Sequence, residues 1–305
     1  MKPRSAPHAA AVAAVLALAA VACGGQGQGG PTPPKSPQYG APTNLGAAVN
    51  SDGFDGGPSI SVDGLTIYFI SDRAGGSGGG DIWSATRQTT AGAFANPKNL
   101  GPVVNSPRNE GAPDISTDGL ELFFDRDDGL IWRSSRPSAL DPFGQPAPVD
   151  LHHAPRTGDG HPSISSDGLD LYFCTARSGG SGGDDVWVAA RTSPSRPFGV
   201  PRNLGPSVNS PADDCEPGPS SDGLFLFFAS DRAGGSGRLD ILVSTRTSRS
   251  DPFGRATNLG PALNSYYEDE TPEVGADGTT LYFMSNRPGG SGFFDLWVAP
   301  RAPAS

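Results

Sequence analysis

The chain has 305 residues and a formal net charge of −10. That charge excludes the basic footprint that nucleic acid requires, and equally a basic face for docking on anionic lipid. Gly 43 and Pro 31 approach the content of a disordered chain, but 15 Phe, few charges and a regular period point to a folded all-β repeat protein.

Residues 1–22 read as an export signal. Lys2 and Arg4 precede a 14-residue apolar run, Ala9 to Ala22, too short to span a bilayer comfortably. The run ends Ala20-Val21-Ala22-Cys23-Gly24, which resembles the lipobox of bacterial lipoproteins. The resemblance implies that Cys23 is lipidated and becomes the first mature residue. Residues 23–37 then form a Gly- and Pro-rich tether with no capacity for a core. Gly24 after the Cys resembles the outer-membrane sorting pattern, so the expected location is the cell envelope, facing the periplasm or the cell surface.

The remainder is repetitive. Asp-Gly recurs at Asp63, Asp118, Asp167, Asp222 and Asp277, with spacings of 55, 49, 55 and 55. Each unit carries strand signals A to D. A precedes the Asp-Gly turn, and B alternates apolar residues, as in Leu65-Thr66-Ile67-Tyr68-Phe69. A Gly-rich loop leads to C, for example Asp81-Ile82-Trp83, and D is a Pro-x-Asn-Leu-Gly stretch. The last unit stops at C, while a lone D (Pro42 to Gly46) stands at the N-terminus. That offset predicts a closed ring over residues 38–303, a five-bladed β-propeller of four-stranded blades whose N-terminal strand completes the last blade.

The unit resembles the WD40-like propeller repeat of TolB-type periplasmic proteins. The resemblance covers nearly all of the mature chain and implies protein interaction in the envelope. Set against that family, a separate N-terminal α/β domain and an OmpA-like segment are not expected within these 305 residues.

Most repeated residues have a structural explanation. Arg73, Arg177, Arg232 and Arg287 end strand B, and Asp81, Asp185, Asp240 and Asp295 begin strand C eight residues later. The hairpin predicts Arg–carboxylate bridges between these sets. Trp83, Trp132, Trp187 and Trp297, with Leu242 in unit four, are expected to pack between blades. The Gly-rich loops lack the Lys and following helix of a phosphate loop.

An acid stands eight residues before each Asp-Gly: Asp55, Glu110, Asp159, Asp214 and Asp269. These are expected to ring one channel mouth. Neighbours ~8 Å apart repel by about 0.5 kcal/mol in water and about 2 kcal/mol at an effective dielectric of 20. Such a ring must be wet, bonded to backbone amides, or occupied by a divalent cation such as calcium. No other cofactor is implied.

Departures from the repeat mark an asymmetric ligand site. Unit two lacks six residues between B and C, leaving a tight Asp128-Gly129 turn. Unit three carries His152, His153 and His161 beside Asp159, in no standard zinc spacing. Unit five supplies Tyr266, Tyr267, Glu268, Glu270, Phe293 and Phe294, and unit four adds Glu216. Tyr266, Tyr267 and His161 join the five acids as candidate ligand residues at the mouth. Cys174 and Cys215 fall near one face of adjacent blades, and they pair only if their Cα atoms lie within ~7 Å.

Three functions fit. The first is a monomeric, lipid-anchored binding module presenting one propeller face to an envelope protein or glycan. The second is a polysaccharide-active glycosidase or lyase using mouth carboxylates, nominally Glu110 and Asp269. The third is a structural or sensor domain.

Overall fold

The computed structural model describes residues 32–152 and 158–303. Within them the chain is all-β, with twenty strands in five four-stranded antiparallel sheets. Blade 1 is β2 (Asp55–Ile60), β3 (Thr66–Ser71), β4 (Asp81–Thr86) and β5 (Ala95–Asn99). Blade 2 is β6 (Glu110–Ile115), β7 (Glu121–Arg126), β8 (Leu130–Ser135) and β9 (Ala147–Pro148). Blade 3 is β10 (Asp159–Ile164), β11 (Asp170–Thr175), β12 (Asp185–Ala190) and β13 (Arg202–Asn203). Blade 4 is β14 (Asp214–Pro219), β15 (Phe225–Ser230), β16 (Asp240–Thr245) and β17 (Thr257–Asn258). Blade 5 is β18 (Asp269–Val274), β19 (Thr280–Ser285) and β20 (Asp295–Pro300), completed by β1 (Thr43–Asn44).

The five-bladed propeller is therefore present, and its closure is the expected one. Thr43 pairs with Val298 and Asn44 with Trp297. The signal segment, Cys23, most of the tether and His153 lie outside the described residues. Among the described residues no helix is long and apolar enough to cross a membrane.

Short polar devices build each blade. Asp63 accepts hydrogen bonds from Leu65 N (2.9 Å) and Ser61 Oγ (2.6 Å), while Gly64 takes φ 69°, and together they turn strand A into strand B. A second Asn, six residues after the Asn of each full D motif, holds the next connection. Asn50, buried, accepts from Leu296 N (2.9 Å) and donates to Leu296 O (3.1 Å), substituting for a strand partner. Asn105, Asn209 and Asn264 repeat this on Ile82, Val186 and Ile241.

The core is not central but divided among the blade junctions. Five buried clusters occupy the five junctions. Ile67, Phe69 and Trp83 of blade 1 meet Tyr282 and Leu296 of blade 5, and Leu242 stands at the Trp position between blades 3 and 4. The Trp positions pack between blades as the repeat predicted. One junction is also covalent, because Cys174 of β11 and Cys215 of β14 form a disulfide with Cα atoms 5.1 Å apart.

That disulfide closes a loop of 41 residues in the unfolded chain. The double variant Cys174→Ala/Cys215→Ala is expected to lose about 2–4 kcal/mol in urea denaturation.

Candidate functional site

The five acids at the starts of the A strands do not form an open ring. Asp55, Asp214 and Asp269 are 0% exposed, and Glu110 and Asp159 no more than 3%. Each is ion-paired inside its own blade: Asp55 with Arg73, Glu110 with Arg126 (2.9 Å), Asp159 with Arg177 (2.6 Å), Asp214 with Arg232 and Asp269 with Arg287. None of them lines the channel.

The Arg partners are thus not the strand-C acids that the hairpin spacing suggested. Ser71 pairs with Asp55 on one side and Asp81 on the other, so Arg73 has a carboxylate in either direction. Asp81 is already engaged. It accepts from Ser77 N (2.6 Å) and Gly78 N (3.3 Å) of the Gly-rich loop. Arg73 turns instead to Asp55, donates to Val49 O, and lies 5.2 Å from the Trp83 ring centroid. Acid, guanidinium and indole make one buried stack.

Blade 2 reaches the same end by a different route. Its shortened loop leaves no Arg beyond the strand, and Arg126 sits directly opposite Glu110 within the ladder. The longer Glu accompanies that shift, and Arg126 still donates to the equivalent carbonyl, Val104 O, at 3.0 Å.

The channel is lined by residues the repeat did not mark. Every A strand carries a bulge, in blade 1 between Gly56 and Ser59. It aims the third strand residue at the axis: Gly57, Ala112, His161, Glu216 and Thr271. All five take positive φ, between 39° and 60°. For Thr271, a β-branched residue, that is a true outlier, held only because the surrounding ring fixes it.

Four carboxyl groups gather along this axis. Asp114 accepts from Ser59 Oγ (3.0 Å) and Ile164 N (2.5 Å). Glu216 accepts from Thr271 N (2.7 Å), and Glu273 from Ile60 N (3.4 Å). Glu270 hydrogen-bonds to Glu216. His161 Nδ1 lies 3.7 Å from Glu216 Oε1, and His161 N donates to Asp125 Oδ2 (2.7 Å). Asp114 and Glu273 escaped the sequence reading. Their only signal was departure from Ser59, Ser163 and Gly218 at one repeat position.

Burial raises the pKa of all four. Asp114 rises to about 6 and Glu216 to about 7, in the latter with help from the Asp125 charge. Glu270 rises to about 9 through burial and then the charges of Glu216 and Glu268. Glu273 is pushed well above its ordinary value by burial and then by Asp114. At neutral pH Glu270 is therefore the protonated partner that donates to Glu216.

The free space along the axis is about 30 Å³ beside His161, Glu216 and Glu273, enough for one or two waters, and about 110 Å³ at the other end, beside Asp114 and Glu273; both fall below the ~300–1,000 Å³ of a small-molecule site. Two carboxyls joined by a hydrogen bond are also closer than the ~5–5.5 Å or ~6.5–9.5 Å that glycoside hydrolysis requires. Glu110 and Asp269 are both committed to Arg partners.

Tyr266 and Tyr267 lie away from the channel. With Arg238, Glu268, Asn286 and Phe293 they wall a separate cleft of about 470 Å³ between the Gly-rich loop of blade 4 and the entry loop of blade 5. Tyr266 and Phe293 are 84% and 70% exposed, whereas Phe294 is buried and packs on Phe54 of blade 1, ring centroids 5.6 Å apart. His152 is exposed, its amide donating to Asp150. Among the described residues no group of three or more His, Cys, Asp and Glu can hold a metal ion.

No protein-family model matches the chain, and no curated protein matches it. Solved structures do. TolB from Acinetobacter baumannii superposes with a TM-score of 0.52 at 13% identity, over 88% of this chain and 64% of that one. An α-L-arabinofuranosidase from Podospora anserina in complex with cellotriose gives 0.55 at 14% identity, over 88% and 95%. An α-L-arabinofuranosidase from Lactobacillus brevis gives 0.56 at 12% identity, over 82% and 91%. The chain is thus a five-bladed β-propeller like both groups, and it spans 64% of the length of that TolB. At these identities the likeness is one of fold alone.

Two predictions follow from the polar interior. Asp214→Ala leaves the half-buried Arg232 without its partner and is expected to lose about 2–3 kcal/mol, while Asp214→Ala/Arg232→Met loses less, as read by urea denaturation. The axis carboxyls hold their protons more tightly folded than unfolded, so their contribution is full below the unfolded pKa and lost as pH rises through the folded values. Stability should therefore fall from about pH 5 to about pH 9. Glu270→Gln, which keeps a donor for Glu216, should flatten the upper half of that profile.

Proposed function

We propose that the chain is a lipid-anchored, monomeric binding module of a bacterial envelope. It presents the face formed by the B–C and D–A loops to a partner and performs no chemistry of its own. The observation that carries this reading is the division of labour between channel and rim. The axis, where a propeller enzyme would hold substrate, has only small spaces of about 30 and 110 Å³ free, and its Glu216 and Glu270 carboxyls share a proton. The exposed, asymmetric recognition groups stand instead on the loop face between blades 4 and 5. Fold likeness to TolB supports an envelope setting, and the lipobox-like run before Cys23 supports an anchor. Likeness to arabinofuranosidases keeps hydrolysis as the competing reading.

The test pairs capture with catalysis. The full chain, tagged at its C-terminus, is incubated with envelope extract of its native host, and in parallel with an aryl α-L-arabinofuranoside and arabinoxylan. The expected result is a retained partner that Tyr266→Ala/Phe293→Ala releases, with no sugar liberated. Turnover that Glu216→Gln abolishes would replace this reading with the glycosidase.

A further inference from the structure

We propose that the cleft between blades 4 and 5 binds a neutral, β-1,4-linked oligosaccharide of about two or three sugar units. The inference rests on the binding-module reading and gives its ligand class. Three observations carry it.

The first is the construction of the walls. Tyr266 is braced at right angles by Tyr267, with ring centroids 6.0 Å apart, and Phe293 by the buried Phe294, at 5.1 Å. Both braced rings remain open to solvent. The second is the floor. Glu268 Oε1 pairs with Arg238 (2.8 Å), and Glu268 Oε2 accepts from Asn286 Nδ2 (2.9 Å). Most other blades have Asp at the Asn286 position, namely Asp72, Asp127 and Asp231, and a carboxylate there could not donate to Glu268. Arg238 lines the cleft and its side chain is 87% exposed, which leaves its remaining N–H donors free for a ligand. The third is the contrast with the corresponding junctions. The junctions after blades 1 and 3 place Gly79 against Asn109 and Gly183 against Asp213, without an aromatic ring at either position.

The chemistry selects the ligand. A pyranose with equatorial hydroxyls has flat C–H faces that suit the negative face of an aromatic ring, and rim hydroxyls that suit a fixed carboxylate, amide and guanidinium. The Arg238–Glu268 pair neutralises itself, so the cleft has no charge with which to select an ionic ligand. Its volume of about 470 Å³ suits a small ligand, whereas a protein partner needs a broad patch of about 800 Å².

The experiment titrates the full chain, purified in a detergent without a sugar headgroup, with cellotriose, N-acetylchitotriose and β-1,4-galactotriose. Calorimetry and saturation-transfer NMR are the readouts. Cellotriose or N-acetylchitotriose should bind with a dissociation constant of about 1 mM or tighter, and galactotriose, whose axial C4–O linkages bend the chain out of a flat ribbon so that successive rings cannot meet both aromatic walls, more weakly. Tyr266→Ala and Phe293→Ala should each weaken binding by at least about tenfold without changing the melting temperature, and Leu140→Ala on blade 2 should not. No binding of any trisaccharide at about 5 mM, or binding indifferent to both aromatic variants, overturns the inference. If envelope capture still depends on Tyr266 and Phe293 in that case, the binding module stands with a protein ligand. Hydrolysis of a probe would overturn the module instead.

Discussion

The innermost strand of each blade has a neighbour on only one side, and its free edge faces the axis. Amides on that edge must find acceptors where no strand can supply them. The side chains of adjacent A strands do so. Ile60 N is taken by Glu273, Ile115 N by Ser59 Oγ and Ile164 N by Asp114. In blade 4 the same position is Pro219, which has no N–H to satisfy. The axis is therefore a polar seam joining each blade to the next. Its buried carboxyls follow from this need for acceptors, and their raised pKa values follow from their burial.

The rest of the architecture turns outward from that seam. Apolar clusters hold the junctions, and acid–Arg–aromatic stacks hold the loop end of each blade. Symmetry does this structural work five times over, which leaves only the departures from symmetry for recognition. The largest exposed departures, Tyr266 and Phe293, sit at one junction on one face.

The fold was legible because its signals are local and repeated: the Asp-Gly turn, alternating B strands, and the unmatched D motif at Pro42 to Gly46. The Trp positions were legible for the same reason. The Arg partners were not, since a separation of eight residues favoured the hairpin acid, while loop amides had already claimed Asp81 and left Asp55, eighteen residues from Arg73. The channel lining was hidden by the bulge. Gly57 and Pro58 together stand opposite Phe69, which resets the two-residue alternation and turns unexpected side chains to the axis. Pairing of Cys174 with Cys215 depended on a distance between blades that no spacing encodes.

Closure through β1 also sets an order on folding. Thr43 waits for Val298, so the ring cannot shut while the chain is still being synthesised. Blades 1 to 4 draw all four strands from consecutive sequence and can form early, whereas the last step joins the two ends across almost the whole chain. Until then both terminal blades show an open flank, and the half-made protein is most vulnerable to pairing with another copy of itself.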